Sequence, residues 1–372
     1  MPAYRAPIQD IGFLLNNVFT ADTLFSSMPG TEEVSTDLTS AIVEEAGKIA
    51  EGLLAPINQS GDQQSCQYDD GVVTTPDGFK EAYKAYAEGG WAGLTGEVAY
   101  GGQGMPKTLS ALIEEMSFAA NSSFALFTIL TTGATLTLSQ HGSEELKQRY
   151  LPKMYEGVWT GTMCLTEPHA GTDLGMIKTR AVPNADGSYS LSGTKIFITA
   201  GEHDLAENII HLVLAKLPDA PAGPRGISLF LVPKMLVDEQ SELTGERNGV
   251  RCGSIEHKMG IKASPTCVMN FDEAKGYLVG ELNNGLSHMF TMMNYERLSM
   301  GLQATAPPPS ELQSRMKLSS AVFFFSPLSS PPLSLPPPPP PPPPSPPSLP
   351  LLPPPSLPPS LSPPPPPPPP LP

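Results

Sequence analysis

Met163-Cys-Leu-Thr-Glu-Pro-His-Ala-Gly-Thr-Asp-Leu-Gly175 begins as a strand and becomes a glycine-punctuated loop rich in small hydroxyl residues. Further along, Lys195-Ile-Phe-Ile-Thr-Ala-Gly201 repeats the idea, and strand alternation sets Phe197 and Thr199 on the same face. An aromatic plane, nearby hydroxyls and exposed backbone amides suit a flat heteroaromatic cofactor that needs both stacking and edge hydrogen bonds. A β-sandwich carrying a polar loop has the same spacing, so the pattern alone leaves both readings open.

Around this stretch the chain reads as β. Tyr189 to Thr199, Ile209 to Ala215, Gly226 to Val232 and Cys267 to Phe271 are short β-rich runs between Gly, Pro and Asn-Ala-Asp-Gly breaks. Residues 160–280 are therefore expected to form an all-β domain. Upstream the period is helical. Leu38, Ile42, Ala46, Ile49 and Leu53 recur at three- and four-residue spacing after Ser35, a capping residue. Further helices are predicted over 77–88, over 110–120, after Ser123 and from Ser143, where Glu144 and Glu145 fill a first turn. The apolar run from Phe124 to Leu138 carries five threonines and Gly133. It is shorter than the roughly 20 residues of a membrane span, and reads as a buried helix with no membrane span. After Gly285 the helical period returns through Leu286, Met289, Phe290, Met293, Leu298 and Leu302, then stops at Ala306. The expected class is α+β and multidomain: an N-terminal extension (1–35), a helical domain (36–158), a β-barrel or sandwich (159–280), the start of a helical bundle (281–306) and a proline-rich tail (307–372).

Of 46 prolines, 32 lie between Pro307 and Pro372, and from Leu318 onward all but two of 55 residues are Ser, Pro, Leu or Phe. Such a low-complexity tail cannot build a packed core and is expected to be disordered, because proline fixes φ and removes donors. The net charge of −15 belongs to the body, since Glu311, Arg315 and Lys317 give the tail +1 and leave −16. An acidic chain without Lys/Arg runs is poorly matched to nucleic acid. Cys66, Cys164, Cys252 and Cys267 are too scattered for a disulfide scaffold or a CxxC metal site, which favours a reducing compartment. Gly101-Gly-Gln-Gly104 lacks the Lys-Ser/Thr of a phosphate loop and reads as a tight loop. His169 and His203 have no second ligand at metal spacing, and no GxSxG elbow occurs.

The paired motifs Leu165-Thr-Glu-Pro-x-Ala-Gly-Thr-Asp173 and Gly193-x-Lys-Ile-Phe-Ile-Thr-x-Gly201 closely resemble the flavin-binding signatures of the acyl-CoA dehydrogenases. The resemblance extends through Arg225-Gly-Ile-Ser-Leu-Phe-Leu-Val-Pro233, Gly253-Ser-Ile-Glu-His-Lys-Met-Gly260 and Gly285 to Leu298. The first residues look like the extra N-terminal segment of a bacterial-type branch of the family, and the match ends near residue 306. It implies an FAD flavoprotein, an oxidoreductase of fatty acid metabolism. Its reaction would be α,β-dehydrogenation of an acyl-CoA to the 2-enoyl-CoA, with electrons passed to an electron-transfer flavoprotein. By the same resemblance Met163, Leu165 and Thr166 would line the pyrimidine edge of the flavin, Gly171 would admit close backbone approach, and Thr172 would lie near the phosphates and acyl-CoA. Phe197 would stack where the family often has Trp, and Thr199 would bond near flavin N5. Asn294 and Arg297 would contact CoA. Glu296, in a Glu-Arg-Leu sequence, matches the base of the isovaleryl and long-chain branches, whereas most members draw the base from a C-terminal helical domain.

That domain, which also binds FAD and forms a homo-oligomer, is expected to be missing here, with activity impaired. Phe, Ser, Leu and Pro share all-pyrimidine codons, so the tail reads as a translated pyrimidine tract from a gene-model or splicing artefact. The transcript tests this expectation. Two rivals stay open: a catalytically inactive scaffold whose polyproline II tail is a ligand for SH3, WW or EVH1 grooves, and an acyl-CoA oxidase. The N-terminus lacks a secretory pattern; a cytoplasmic setting is expected, with mitochondrial and peroxisomal ones open.

Overall fold

The computed structural model describes residues 4–305, so the proline-rich tail lies outside the described residues. The N-terminal part is helical throughout. Helices α1 (Ile8–Phe13) and α2 (Ala21–Ser26) are joined by a π-turn, Leu14–Val18, and bury Ile11, Leu15 and Phe25. Ser35 caps α3 (Thr36–Ile49) by accepting the Leu38 N–H at 3.2 Å. A π-turn (Ala50–Leu54), α4 (Asn58–Gln64) and a small hairpin, β1 (Gln67–Asp69) and β2 (Val72–Thr74), follow. The next helix, α5 (Phe79–Glu88), starts two residues later than the sequence implies, because Gly78 adopts φ +84°.

Where the sequence suggests two helices with a break before Ser123, the chain forms two halves that meet at a kink in α6 (Lys107–His141). Asn121 is non-helical at the joint, with φ −158° and ψ 92°. Its buried amide accepts the Phe124 N–H at 3.1 Å, as an N-cap does, and donates to the Leu54 carbonyl at 3.2 Å. The apolar stretch of α6 is long enough to cross a bilayer by length and composition, yet it is mostly buried inside the protein. Asn121→Ala removes the cap and orphans the Leu54 carbonyl, and is expected to cost about 1–2 kcal/mol. Chemical denaturation measures that loss.

Ser143 caps α7 (Glu144–Tyr155), and the chain then turns to strands. These are β3 (Trp159–Cys164), β4 (Arg180–Pro183), β5 (Tyr189–Thr199), β6 (Asn208–Lys216), β7 (Ile227–Pro233), the short pair β8 (Met235–Val237) and β9 (Leu243–Arg247), β10 (Val250–Ile255) and β11 (Thr266–Val279). Pairing runs β4–β5–β11–β7–β6 and returns to β4 at Arg180↔Lys216. The ring is closed, which resolves the barrel-or-sandwich expectation in favour of a barrel. Strand β3 lies parallel to β6 on one side, and β10 extends β11 on the other.

The chain finishes as α8 (Gly285–Thr305), laid along α6. Met289, Met292, Glu296, Ser299 and Leu302 turn inward, whereas Phe290, Leu298 and Met300 are exposed. Gly161 brings β3 against α6: a Cβ there would come within 2.4 Å of the Ala134 methyl.

Two buried histidines brace this junction. The Leu205 N–H donates to His203 Nδ1 at 3.2 Å, so Nε2 carries the proton and meets Thr160 Oγ1 at 3.0 Å. His211 Nδ1 lies 2.8 Å from Thr162 Oγ1. Burial holds both rings neutral, with their pKa values pushed down to about 3. An unfolded histidine takes up its proton near pH 6.5, so the unfolded state binds protons first. Stability is therefore expected to be whole above about pH 6.5 and to fall as pH drops toward 3. Thermal melts across that range check it; a flat profile would contradict it.

Candidate functional site

After a first slip between Leu191↔Ala274 and Gly193↔Phe271, strands β5 and β11 run in step to Lys195↔Met269, and pair again at Ile198↔Cys267. Two residues of β5, Ile196 and Phe197, thus oppose Val268 alone, which is a β-bulge. The bulge turns the Ile196 N–H away from the ladder, and it donates to the Thr166 carbonyl at 2.9 Å. Phe197 takes a left-handed φ of +60°, costly for an aromatic residue, and its side chain is left 59% exposed. Ala200 is left-handed as well, at +52°, and its N–H is held by the Pro265 carbonyl at 2.8 Å. Phe197 and Thr199 flank buried Ile198, as alternation requires, but the bulge breaks the alternation immediately before them.

Beneath the bulge lies a buried ion pair. Lys195 Nζ, with no solvent exposure, donates to the Leu165 carbonyl at 3.0 Å and to Glu167 Oε1 at 2.9 Å. Glu167 also accepts from the Thr179 N–H at 3.0 Å, the Thr179 hydroxyl at 2.5 Å and the Lys178 N–H at 2.6 Å. Burial alone would raise the Glu167 pKa; Lys195 and the Thr179 and Lys178 donors bring it below the ordinary carboxylate value. The ammonium is pulled down by burial, against the pull of Glu167. Glu167 and Ala170 exchange two backbone hydrogen bonds of 3.0 Å, closing the loop that presents Gly171 and Thr172 to solvent. Beside Gly171 there is room: Thr166 Cγ2, at 3.8 Å, is the nearest atom to a Cβ built there.

Lys195 and Ile196 thus tie Leu165 and Thr166 to the bulged strand that carries Phe197 and Thr199, a rim that the Gly171–Thr172 loop adjoins beside Thr166. The hydroxyls of Thr166, Thr172 and Thr199 have no partner among the described residues. Met163, partly buried on β3, packs in the core that also receives Met293 and Tyr295 of α8.

The residues singled out on α8 separate onto two faces. Asn294 and Arg297 are exposed and bonded to each other at 3.0 Å, with the guanidinium 5.6 Å from the Phe290 ring centroid. Glu296 is 8% exposed and faces α6, where its Oε1 would lie 2.7 Å from a Cβ on Gly133. That oxygen has no hydrogen-bond partner, and burial, reinforced by the charge of Glu114, pushes the Glu296 pKa up to about 8.

Sequence reasoning passes over Lys195, Glu167, Glu114 and Gly133 as functional positions. A lysine within an apolar β run is the available signal for the first. Glu114 sits in an apolar helix face, but its partners Tyr295 and Ser299 are 181 and 185 residues away.

A helical layer docked on a closed barrel, with a bulged strand offering an aromatic ring among unpaired hydroxyls, is the architecture of an oxidoreductase family. The chain belongs to the acyl-CoA dehydrogenases: the family's N-terminal domain matches residues 36–158 and its middle domain residues 162–274. It is 46% identical over 303 residues to 3-methylmercaptopropionyl-CoA dehydrogenase of Ruegeria pomeroyi, covering 82% of this chain and 51% of that protein. Among solved structures, the acyl-CoA dehydrogenase of Bacillus anthracis complexed with FAD is 28% identical, with a TM-score of 0.60 over 74% of this chain and 42% of that one. A structure described as the electron transferring flavoprotein of Acidaminococcus fermentans is 27% identical, with a TM-score of 0.59 over 77% and 67%. The chain spans about half the length of the curated relatives it matches.

Proposed function

We propose that this chain binds FAD on the rim around Phe197 and takes part in α,β-dehydrogenation of an acyl-CoA thioester. The observation that carries the reading is the exposed Phe197 ring set among the unpartnered hydroxyls of Thr166, Thr172 and Thr199. A flat, polar-edged heterocycle needs that combination, and the FAD complex of the Bacillus anthracis relative supports the choice of ligand.

When bound, FAD supplies the acceptor for the hydride that leaves the substrate β-carbon. The protein's own contributions are positioning, hydrogen bonding and proton handling. Thr166 and Thr199 would donate to the ring edge, and such donors favour negative charge gathering there. Phe197 would stack, held in its left-handed conformation by the bulge, so that its orientation is set before ligand arrives. Met163 and Leu165 would close the pyrimidine edge, and Gly171 and Thr172 would admit the phosphates. Glu296 Oε1 would take the α-proton; an oxygen without donors in a desolvated cleft is a stronger base than an exposed carboxylate. Asn294 and Arg297, solvent-facing and with the guanidinium as the one cation of the pair, would meet the CoA moiety outside the cleft. Electrons would pass to an electron-transfer flavoprotein, in a cytoplasmic setting.

The test is to incubate the purified 372-residue chain with FAD, acyl-CoA thioesters and a dye acceptor, then analyse the thioester by mass spectrometry. The expected product is two hydrogens lighter than the substrate. Hydrogen peroxide formed without the dye would move the reading to an oxidase. A folded protein that takes up FAD and yields no enoyl product would move it to an inactive scaffold.

A further inference from the structure

The cleft between α6 and α8 holds a second carboxyl to which neither the sequence motifs nor the proposed reaction gives a role. Glu114 is half-buried on α6 and accepts from three hydroxyl groups. Tyr295 donates to Oε1, Ser299 Oγ to Oε2 at 2.8 Å, and Ser110 Oγ lies 3.3 Å from Oε1. Tyr295 immediately precedes Glu296 and Ser299 follows it by three residues, so the segment that carries Glu296 is clamped onto Glu114. The contrast between the two carboxyls is chemical. Burial raises the Glu114 pKa, but its hydroxyl donors and Lys107 pull back toward the ionised form; Glu296 Oε1 has no donor and rests against Gly133.

The groups around the pair are few. On α6 they are Lys107, which donates to Thr95 Oγ1 at 2.6 Å, together with Thr132 and Gly133. Tyr86 and Trp91 approach from across a cavity of about 30 Å³ that Glu114, Ser110, Thr128 and Thr132 also line. On α8, Arg297 faces outward and is engaged with Asn294. No cation among the described residues is bonded to Glu296. Two like charges in one dry cleft cannot both ionise freely, and the pair titrates as a unit.

We propose that Glu114 is a positioning residue for the proton acceptor: held ionised by Tyr295 and Ser299, it makes Glu296 the carboxyl of this cleft that takes up and releases a proton. This rests on Glu296 being the base in the proposed reaction. It assigns the acyl cleft a proton-holding pair, in which one member is fixed as the charge and the other carries the traffic.

The experiment is a pH titration of the full chain, following the carboxyl signals of isotopically labelled glutamate by NMR from about pH 5 to 10. Wild type is expected to show one buried glutamate titrating near pH 8, and Glu296→Gln to delete that signal. Glu114→Gln keeps an acceptor for Tyr295 and removes the charge; it is expected to move the Glu296 midpoint down by about one pH unit or more. The acid limb of the dehydrogenation rate should move with it. Glu114→Asp, with its carboxylate withdrawn by one methylene, should give a smaller shift in the same direction and serves if the Gln variant does not fold. An unmoved midpoint overturns the inference. Full dehydrogenation by Glu296→Gln overturns instead the base reading beneath it, whatever the titration shows.

Discussion

Replacing Lys195 by methionine is expected to be the most damaging single change in the barrel, costing about 3–5 kcal/mol of stability and abolishing FAD retention. The side chain has no exposure and binds two acceptors, the Leu165 carbonyl and Glu167 Oε1. Methionine fills much of the same volume, so packing is largely kept and the loss is electrostatic. Glu167 is left as a buried carboxylate without its counter-charge, the situation in which breaking a buried pair is most costly. The ligand effect follows from the other acceptor. Leu165 and Thr166 form the rim, and Lys195 is one of its two ties to β5, the Ile196-to-Thr166 hydrogen bond being the other. A double variant, Lys195→Met with Glu167→Leu, removes both charges and should recover much of the stability. It should not recover FAD, because the tie to Leu165 is still missing. Denaturation curves and FAD retained through gel filtration separate the two effects. Unchanged stability in the single variant would mean that the Lys195–Glu167 pair does not clamp the rim to β5.

Glu296→Gln is expected to lower kcat for dehydrogenation by about 10²–10⁴-fold, the usual contribution of a general base, while leaving the FAD spectrum intact. Stability should move in the opposite sense. The folded pKa of Glu296 lies near 8, above the ordinary carboxylate value of 4.5. The native state therefore holds a proton that the unfolded state has released. Its contribution to stability is full below pH 4.5 and is lost as pH rises through about 8. The Gln variant cannot ionise, so it should melt higher than wild type at about pH 9 and differ little at about pH 5. A mutation that removes activity while raising alkaline stability is difficult to attribute to misfolding. Equal rates in variant and wild type would remove Glu296 from the reaction.

The parts of this structure legible in the sequence are the local ones. Ser35 and Ser143 announce their helices because a cap bonds three residues ahead. The long strands β5, β6, β7 and β11 are legible as β-rich runs, though β11 extends well past Phe271, to Val279. Strand β10 is hidden because Arg251-Cys-Gly-Ser offers little β-propensity, and β4 because it has four residues. Barrel closure turns on a single pairing, Arg180 with Lys216, that no local pattern encodes. The flavin-signature residues are legible as motifs, but the reason they work is not. The left-handed Phe197 depends on a register slip against β11, and the slip depends on Lys195 and Ile196 reaching back to Leu165 and Thr166. On α8, helical periodicity alone can separate Glu296 from Asn294 and Arg297. What it cannot supply is the opposing helix that makes one face dry.

The most direct measurement is the visible absorption spectrum of the purified 372-residue chain, recorded with FAD and then, without oxygen, after addition of an acyl-CoA thioester. A flavin rim around Phe197 served by the Glu296 carboxyl predicts absorption that stays with the protein and bleaches when the thioester is added. A folded protein that leaves FAD behind, or whose bound flavin keeps its colour with every acyl-CoA offered, would contradict it.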